Sequence, residues 1–186
     1  NKFDLSSTEI PEEFASLNKI EEILSNRPEP IFALDQSHAI SSTVVNRALY
    51  LVKKGDLEGS KIIFLGDDDA TSLAVGILNL AEEITVIDID PNVIKFLSER
   101  ANNLSLKNFR VISHDLREPC ATNILNQFDL VVMDPPYTNE GLRLFLKRAK
   151  QVLKTEIEIE GKKHNITGKK CLLCFGNKPP EVMKHV

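Results

Sequence analysis

From Lys61 onward the apolar positions fall into short unbroken runs separated by longer stretches with helical spacing. The runs predict strands at roughly 61–66, 84–88, 109–114, 128–134 and 170–176. Between them, helices are expected at about 70–82, 91–103 and 139–153, with a short one near 119–126. Leu130-Val131-Val132-Met133 is apolar without alternation, as in a strand covered by helices on both faces. Asp90 followed by Pro91 is a start signal, a capping carboxylate and then a proline in the first helical turn. Strand and helix in alternation predict an α/β fold with a doubly wound, mostly parallel sheet.

Before Lys61 the pattern is helical. Leu17, Ile20, Ile23 and Leu24 predict a helix from about Pro11 to Ser25, ended by Arg27-Pro28-Glu29-Pro30. Asp35-Gln36-Ser37-His38 reads as a loop, and a second helix spans about Ser42 to Lys54. Residues 1–60 are therefore expected to be a helical lead-in and 61–186 a Rossmann-like unit. Thr155 to Gly161 alternates strictly, and with Lys163 to Thr167 predicts a hairpin before the last strand. Asn177-Lys178-Pro179-Pro180 opens a further helix. A complete sheet of this type continues with another helix and two strands, so the C-terminal strands are expected to be truncated. The first residue is Asn1 rather than Met, so the N-terminus is expected to be a truncation or the start of the ordered part.

Charge sharpens this picture. The net charge of −4 is the balance of −3 over residues 1–61, −8 over 62–140 and +7 over 141–186. The acidic middle holds every motif that carries chemistry, which favours a cationic ligand over a phosphate backbone, and no nucleic-acid partner is expected. No apolar run approaches the ~20 residues of a membrane span. Three cysteines are too few for a disulfide scaffold, and the expected location is the cytoplasm.

The carboxyl ends of the strands concentrate acidic residues. The first strand runs into Gly66-Asp67-Asp68-Asp69 and then a helix, the opening of a nucleotide-binding βαβ unit but with carboxylates where a phosphate would usually be received. The second ends in Asp88-Ile89-Asp90, and Asp88 lies 22 positions past Gly66, where such a unit holds ribose hydroxyls. The third ends in His114-Asp115-Leu116, where a carboxylate can accept from an adenine amine, and the fourth in Asp134-Pro135-Pro136-Tyr137-Thr138. The two prolines stiffen that last loop and hold the Asp134 carboxylate and the Tyr137 ring in place to receive an amine. Each element alone is compatible with a cap or turn; together they predict a nucleoside-type ligand on this edge.

Other features read as structural. Cys171 and Cys174 have a metal-like spacing, but residues three apart on a strand face opposite sides and no second pair exists. Asp67 to Asp69 could attract a divalent cation, yet no further ligand lies beside them, and no metal site is expected. His38, His114, His164 and His185 lack triad-like neighbours, and the lysines after Lys147 read as a solvated face.

The order of Gly turn, Asp88, Asp115 and Asp-Pro-Pro-Tyr resembles the class I S-adenosylmethionine-dependent transferase fold. More narrowly, Gly66 to Asp69 with Thr71-Ser72-Leu73-Ala74 resembles the branched-chain polyamine synthase, or N(4)-bis(aminopropyl)spermidine synthase, family. Arg27 to Pro30, Asp35-Gln36, Gly55 to Gly59, Asp115-Leu116-Arg117, Asp134 to Gly141 and Cys174 to Pro180 fit it as well. The resemblance implies aminopropyl transfer from decarboxylated S-adenosylmethionine, as co-substrate, to an amine of a polyamine such as spermidine. It implies catalytic roles for Asp134 and Tyr137, and donor contacts from Gly66, Asp67, Asp68, Asp69, Asp88, Asp90, Asp115 and Leu116. Polyamine contacts are implied for Asp35, Gln36, Asp68, Pro135, Pro136 and Thr138, and a homodimer is compatible with the family.

The acidic turn discriminates between donors. Intact S-adenosylmethionine has a carboxylate on its tail; the decarboxylated form has only the ammonium and sulfonium. A turn carboxylate about 5 Å from the tail, at an effective dielectric near 20, contributes at most about 3 kcal/mol of repulsion or attraction. A fraction of that favours the decarboxylated donor by about ten-fold. The alternative is an amino-group methyltransferase using intact S-adenosylmethionine, since Asp-Pro-Pro-Tyr also marks those enzymes; it needs a basic surface near the site, for which residues 141–186, at +7, are the only support.

Overall fold

The computed structural model describes residues 9–160, 162–165 and 169–175. A 3-10 segment, Glu12–Lys19, leads into the single α-turn of α1 (Ile20–Leu24). After a 3-10 turn at Phe32–Leu34 come α2 (Ser41–Lys53), β1 (Lys61–Leu65), α3 (Thr71–Ile77), β2 (Glu83–Asp88) and α4 (Pro91–Asn103). β3 (Phe109–Ser113), a 3-10 turn at Thr122–Ile124, β4 (Leu130–Met133) and α5 (Asn139–Val152) follow. The hairpin β5 (Glu156–Ile159) and β6 (Lys162–Asn165) precedes β7 (Lys170–Leu173).

The sheet order is β3-β2-β1-β4-β7, and every adjacent pair is parallel. This is the doubly wound arrangement expected. β1 sits at the centre, with β2 on one side and β4 on the other, so the direction of winding reverses there and opens a crevice at the strands' C-terminal ends. Successive side chains of the central strands point to opposite faces. Ile62, Phe64, Val86 and Val132 join Leu17, Ile20, Val44, Ala48, Leu73 and Leu97 in one core. Ile63, Leu65, Ile87, Val131 and Met133 pack on the other face with Phe128, Ala149 and Val152. Phe64 is 1% exposed, and truncating it to alanine is expected to cost about 3–5 kcal/mol. The lead-in helices thus share a core with the sheet.

Three elements differ from the sequence reading. The first helix is mostly 3-10, broken at Phe14, whose φ of −114° is not helical. α3 stops at Ile77 instead of near 82, because Asn79 turns left-handed with φ 53° and returns the chain towards β2. The helix near 119–126 contracts to the 3-10 turn. The hairpin pairs antiparallel, with Glu156 opposite Asn165, as its alternation implied. The helix opening at Asn177 lies outside the described residues. Cys171 is exposed and Cys174 buried, the opposite facing that strand geometry requires.

Candidate active site

The turn after β1 gives its three aspartates different tasks. Gly66 makes the turn with φ 69°, a conformation that glycine adopts without strain, and donates its N–H to Ile87 O at 2.8 Å. Asp67 is buried and caps α3, accepting from Thr71 N at 2.9 Å and Ser72 N at 3.1 Å. Asp69 is also buried; it accepts from Ala39 N and forms an ion pair with Arg47, with Arg27 Nη1 4.0 Å away. Asp68 differs. Its Oδ2 is buried without a hydrogen-bond partner among the described residues.

The next strand ends are organised by the same turn. Asp88 accepts from Asp67 N at 3.0 Å and from Asp90 N at 2.9 Å, so one carboxylate holds two turns together. Asp90 caps α4 through Asn92 N at 2.8 Å and accepts from Gln36 Nε2 at 2.9 Å. After β3, Asp115 is clasped by the Arg117 side chain, at 2.9 Å from Nε and 2.6 Å from Nη2 to Oδ2. The Leu116 carbonyl accepts from Arg148 Nε at 2.7 Å.

The loop after β4 is rigid for two reasons. Thr138 caps α5, its hydroxyl accepting from Gly141 N at 3.0 Å. A Cβ at position 141 would lie 2.7 Å from Pro136 Cβ and 3.0 Å from the Pro136 carbonyl oxygen, so the first turn of α5 closes on the loop only with glycine there. Tyr137 donates its backbone N–H to Asp35 Oδ2 at 2.7 Å, and its ring packs on Phe175 with centroids 4.7 Å apart. Asp134 is paired with Arg47, whose Nη2 is 2.8 Å from Oδ2.

A strap crosses this edge. Residues 31–39 are tied to the turn after β1 through Ala39, to the turn after β2 through Gln36, and to the loop after β4 through Asp35. Gln36 also closes the strap on itself, accepting from Ile31 N at 2.7 Å. A cavity of about 500 Å³ lies between strap and sheet edge. Gly66, Asp68, Asp88, Asp115, Leu116 and Asp134 line it, as do Asp35, Gln36, Pro136 and Thr138. Phe32 of the strap is 91% exposed at its rim, and Ile89 and Phe145 add apolar wall. A tight crevice of about 10 Å³ behind it touches Arg47, Asp67, Asp68, Asp69, Asp134 and Cys174. Asp68 and Asp134 line both.

Most of the residues expected from the sequence are therefore brought together, and some are not. Asp67, Asp69 and Asp90 are absent from the lining of the larger cavity; each is buried and engaged by backbone N–H groups or by Arg47. Pro135 is buried beneath the loop, and Tyr137 is absent from the lining, its ring set against Phe175. Two residues escaped the sequence reading. Arg47 lies three positions after Val44 and four before Leu51, beside the apolar stripe of α2, and a charge at that position was the available signal. Phe32 has no such signal. Among the described residues no group of acidic, histidine and cysteine side chains is arranged to hold a metal ion.

The electrostatics follow from burial. Loss of solvent, then the charges of Asp69, Asp134 and Asp88, pushes Asp68 up to about 7. Burial raises Asp67 and Asp88 as well, against the backbone hydrogen bonds that they accept. Asp115 goes the other way, lowered by its hydrogen bonds with Arg117. Burial pushes the Cys174 thiol up to about 12, so it is neutral beside Arg47.

A parallel sheet wound in this order, with an acidic crevice at its C-terminal edge and a carboxylate ending β2, is a doubly wound α/β fold with its cavity at the topological switch point. A putative RNA methyltransferase from Pyrococcus horikoshii shares the fold at a TM-score of 0.55 and 23% identity, covering 73% of this chain and 69% of that one. The family model for the branched-chain polyamine synthase A C-terminal domain matches residues 15–161, and the chain belongs to that family. An N(4)-bis(aminopropyl)spermidine synthase from Thermococcus kodakarensis is 37% identical over 138 residues, 74% of this chain and 39% of that protein. The branched-chain polyamine synthase from Thermus thermophilus, solved with N4-aminopropylspermidine and 5'-methylthioadenosine, aligns at a TM-score of 0.72 and 31% identity. That alignment covers 75% of this chain and 40% of the other. The chain spans between 36% and 40% of the length of the curated relatives it matches.

Proposed function

We propose that this chain carries the donor-binding and transfer site of an aminopropyltransferase, which moves an aminopropyl group from decarboxylated S-adenosylmethionine to an amine of a polyamine. The observation that carries the reading is Asp68: a buried carboxylate oxygen without a hydrogen-bond partner among the described residues, on a residue that lines the cavity beside Asp134. Such a group is costly to bury unless a cation arrives to pair with it. Family membership and the ligands of the Thermus thermophilus protein point to the same chemistry.

In this reading Asp88 holds the ribose and Asp115 the adenine. Ile89, Leu116 and Phe32 flank the base, and the sulfonium and aminopropyl tail extend towards Asp68. Residues up to about 60 form the wall that supplies Asp35, Gln36 and Arg47; the catalytic unit begins at Lys61. The acceptor enters under the strap past Asp35, and Asp134 orients its nitrogen by accepting a hydrogen bond. The nitrogen lone pair attacks the carbon bonded to sulfur, the C–S bond breaks, and its electron pair leaves on the thioether. The proton shed by nitrogen passes to Asp68, a base poised near neutrality, and from there to water. Positioning supplies most of the acceleration, because the thioether is already a good leaving group. Tyr137 acts through the loop, closing the acceptor path against Phe175.

The test is turnover with decarboxylated S-adenosylmethionine and spermidine, followed by mass spectrometry. Formation of aminopropylated spermidine in step with 5'-methylthioadenosine supports the reading. Methylation of an amine by intact S-adenosylmethionine, without aminopropyl transfer, overturns it.

A further inference from the structure

We propose that Arg47 is a positioning residue for Asp134: by bridging Asp69 and Asp134 it holds the turns after β1 and β4 at a set separation and fixes the amine-orienting carboxylate at the cavity wall. The proposal rests on the reading of the site given above. Its ground is the unequal pair that the guanidinium joins. Asp69 is 5% exposed at its side chain and anchored a second time by Ala39 N, whereas Asp134 is 25% exposed and lines the cavity. Arg47 gives Nη1 to the buried carboxylate and Nη2 to the cavity carboxylate, with Thr71 Oγ1 3.4 Å from Nη1. A fork that gives both donors to one carboxylate would bind one residue firmly; this one spreads its donors over two and sets the distance between them.

The anchor is itself held from the lead-in. Arg27 donates Nη1 to Asp69 O at 3.2 Å and Nη2 to Ala39 O at 3.1 Å, so one side chain ties the strap to the β1 turn. A chain of contacts therefore runs from Arg27 through Asp69 and Arg47 to Asp134, from outside the βαβ unit to the reacting centre. Arg47 also offsets charge in a crowded place. Asp68 is faced by Asp67 and Asp69 of its own turn, Asp88 of β2 and Asp134 after β4, with Arg27 and Arg47 as the cations and a neutral Cys174 beside Arg47. Burial opposes the charge of Arg47, and the carboxylates of Asp69 and Asp134 outweigh that and hold it protonated.

The test compares Arg47→Met, which keeps the stem and removes the cation, with Arg47→Lys, which keeps the cation and loses the fork. Carbon-detected NMR of the aspartate carboxyls and the pH profile of turnover are measured on the full chain. Arg47→Met leaves the charges of Asp69 and Asp134, both of which raise Asp68, without their cation, so the Asp68 midpoint should rise by about half a unit or more and the acid limb of the profile should move with it. In Arg47→Lys the midpoint should stay within about 0.3 units, while kcat falls by about ten-fold with the donor KM unchanged, because a point charge cannot hold two carboxylates. If Arg47→Met does not fold, the Arg47→Lys pair of readouts decides alone. Wild-type kcat in Arg47→Lys, or an unmoved midpoint in a folded Arg47→Met, overturns the proposal. The carboxyl titration needs no donor or acceptor. A wild type that fails to transfer aminopropyl groups therefore sinks the reading of function without deciding the role of Arg47.

Discussion

Asp68→Asn should make the fold more stable and the protein inactive, and the stability gain should depend on pH. The folded-state pKa of Asp68 is about 7, against an ordinary value of 3.8. A carboxyl raised by folding favours the folded state fully when it is protonated, below about pH 3.8, and that contribution is lost as pH rises through 7. At pH 8 the folded protein bears the full cost of the charge. At about 1.4 kcal/mol per pKa unit the ceiling is about 4 kcal/mol. Asp68 retains some solvent contact, which brings the working value to about 1–2 kcal/mol. In a chain of this size that corresponds to a rise in Tm of roughly 2–8 °C. The asparagine keeps an oxygen for the backbone N–H of Ser37 and places a neutral amide where the unpartnered oxygen stood. Thermal melts of both proteins between pH 4 and pH 8.5 read the difference directly. Asp67 and Asp88, also raised by burial, are common to both proteins and cancel. The curves should diverge above about pH 5 and converge near pH 4. An offset that is constant with pH, or an asparagine variant less stable at pH 8, refutes the reasoning.

Asp134→Asn should abolish turnover while donor affinity, measured by calorimetry, changes by less than about three-fold, since Asp134 is assigned to the acceptor. Thr138→Ala removes the cap of α5 and should cost about 1 kcal/mol in denaturant unfolding, with a lower kcat as the loop after β4 loosens. Gly141→Ala should cost more, about 1–3 kcal/mol, because its Cβ meets the Pro136 backbone oxygen at 3.0 Å as well as Pro136 Cβ. Polyamine association by stopped flow should slow as salt rises from about 0.05 to 0.5 M, because an acidic cleft gathers polycations through a screened field.

The sheet was legible because buried parallel strands announce themselves. Ile62 to Leu65 and Leu130 to Met133 are apolar on both faces, and Asp90-Pro91 marks the start of α4 without reference to anything distant. Helix ends were less legible: α3 stops where Asn79 adopts a left-handed turn that no apolar period encodes. The acidic edge was visible as a set, but the division of labour within it was not. Asp67, Asp68 and Asp69 are alike in sequence and differ only through what folding places around them: two N–H groups of α3, a buried site that leaves one carboxylate oxygen without a partner, and the two arginines from the lead-in. Arg47 lies 87 positions from Asp134, and no local pattern links the two. The strap was readable as a loop, yet its three ties to the strand ends exist only in the folded chain.

The central claim is that the acidic edge selects a donor that has lost its carboxylate. Calorimetric titration of the protein with decarboxylated and with intact S-adenosylmethionine, under identical conditions, tests it most directly. The decarboxylated donor should bind at least about ten-fold more tightly, a difference of about 1.4 kcal/mol, and Asp68→Asn should narrow that preference. Equal affinity for the two, or tighter binding of intact S-adenosylmethionine, would contradict the account.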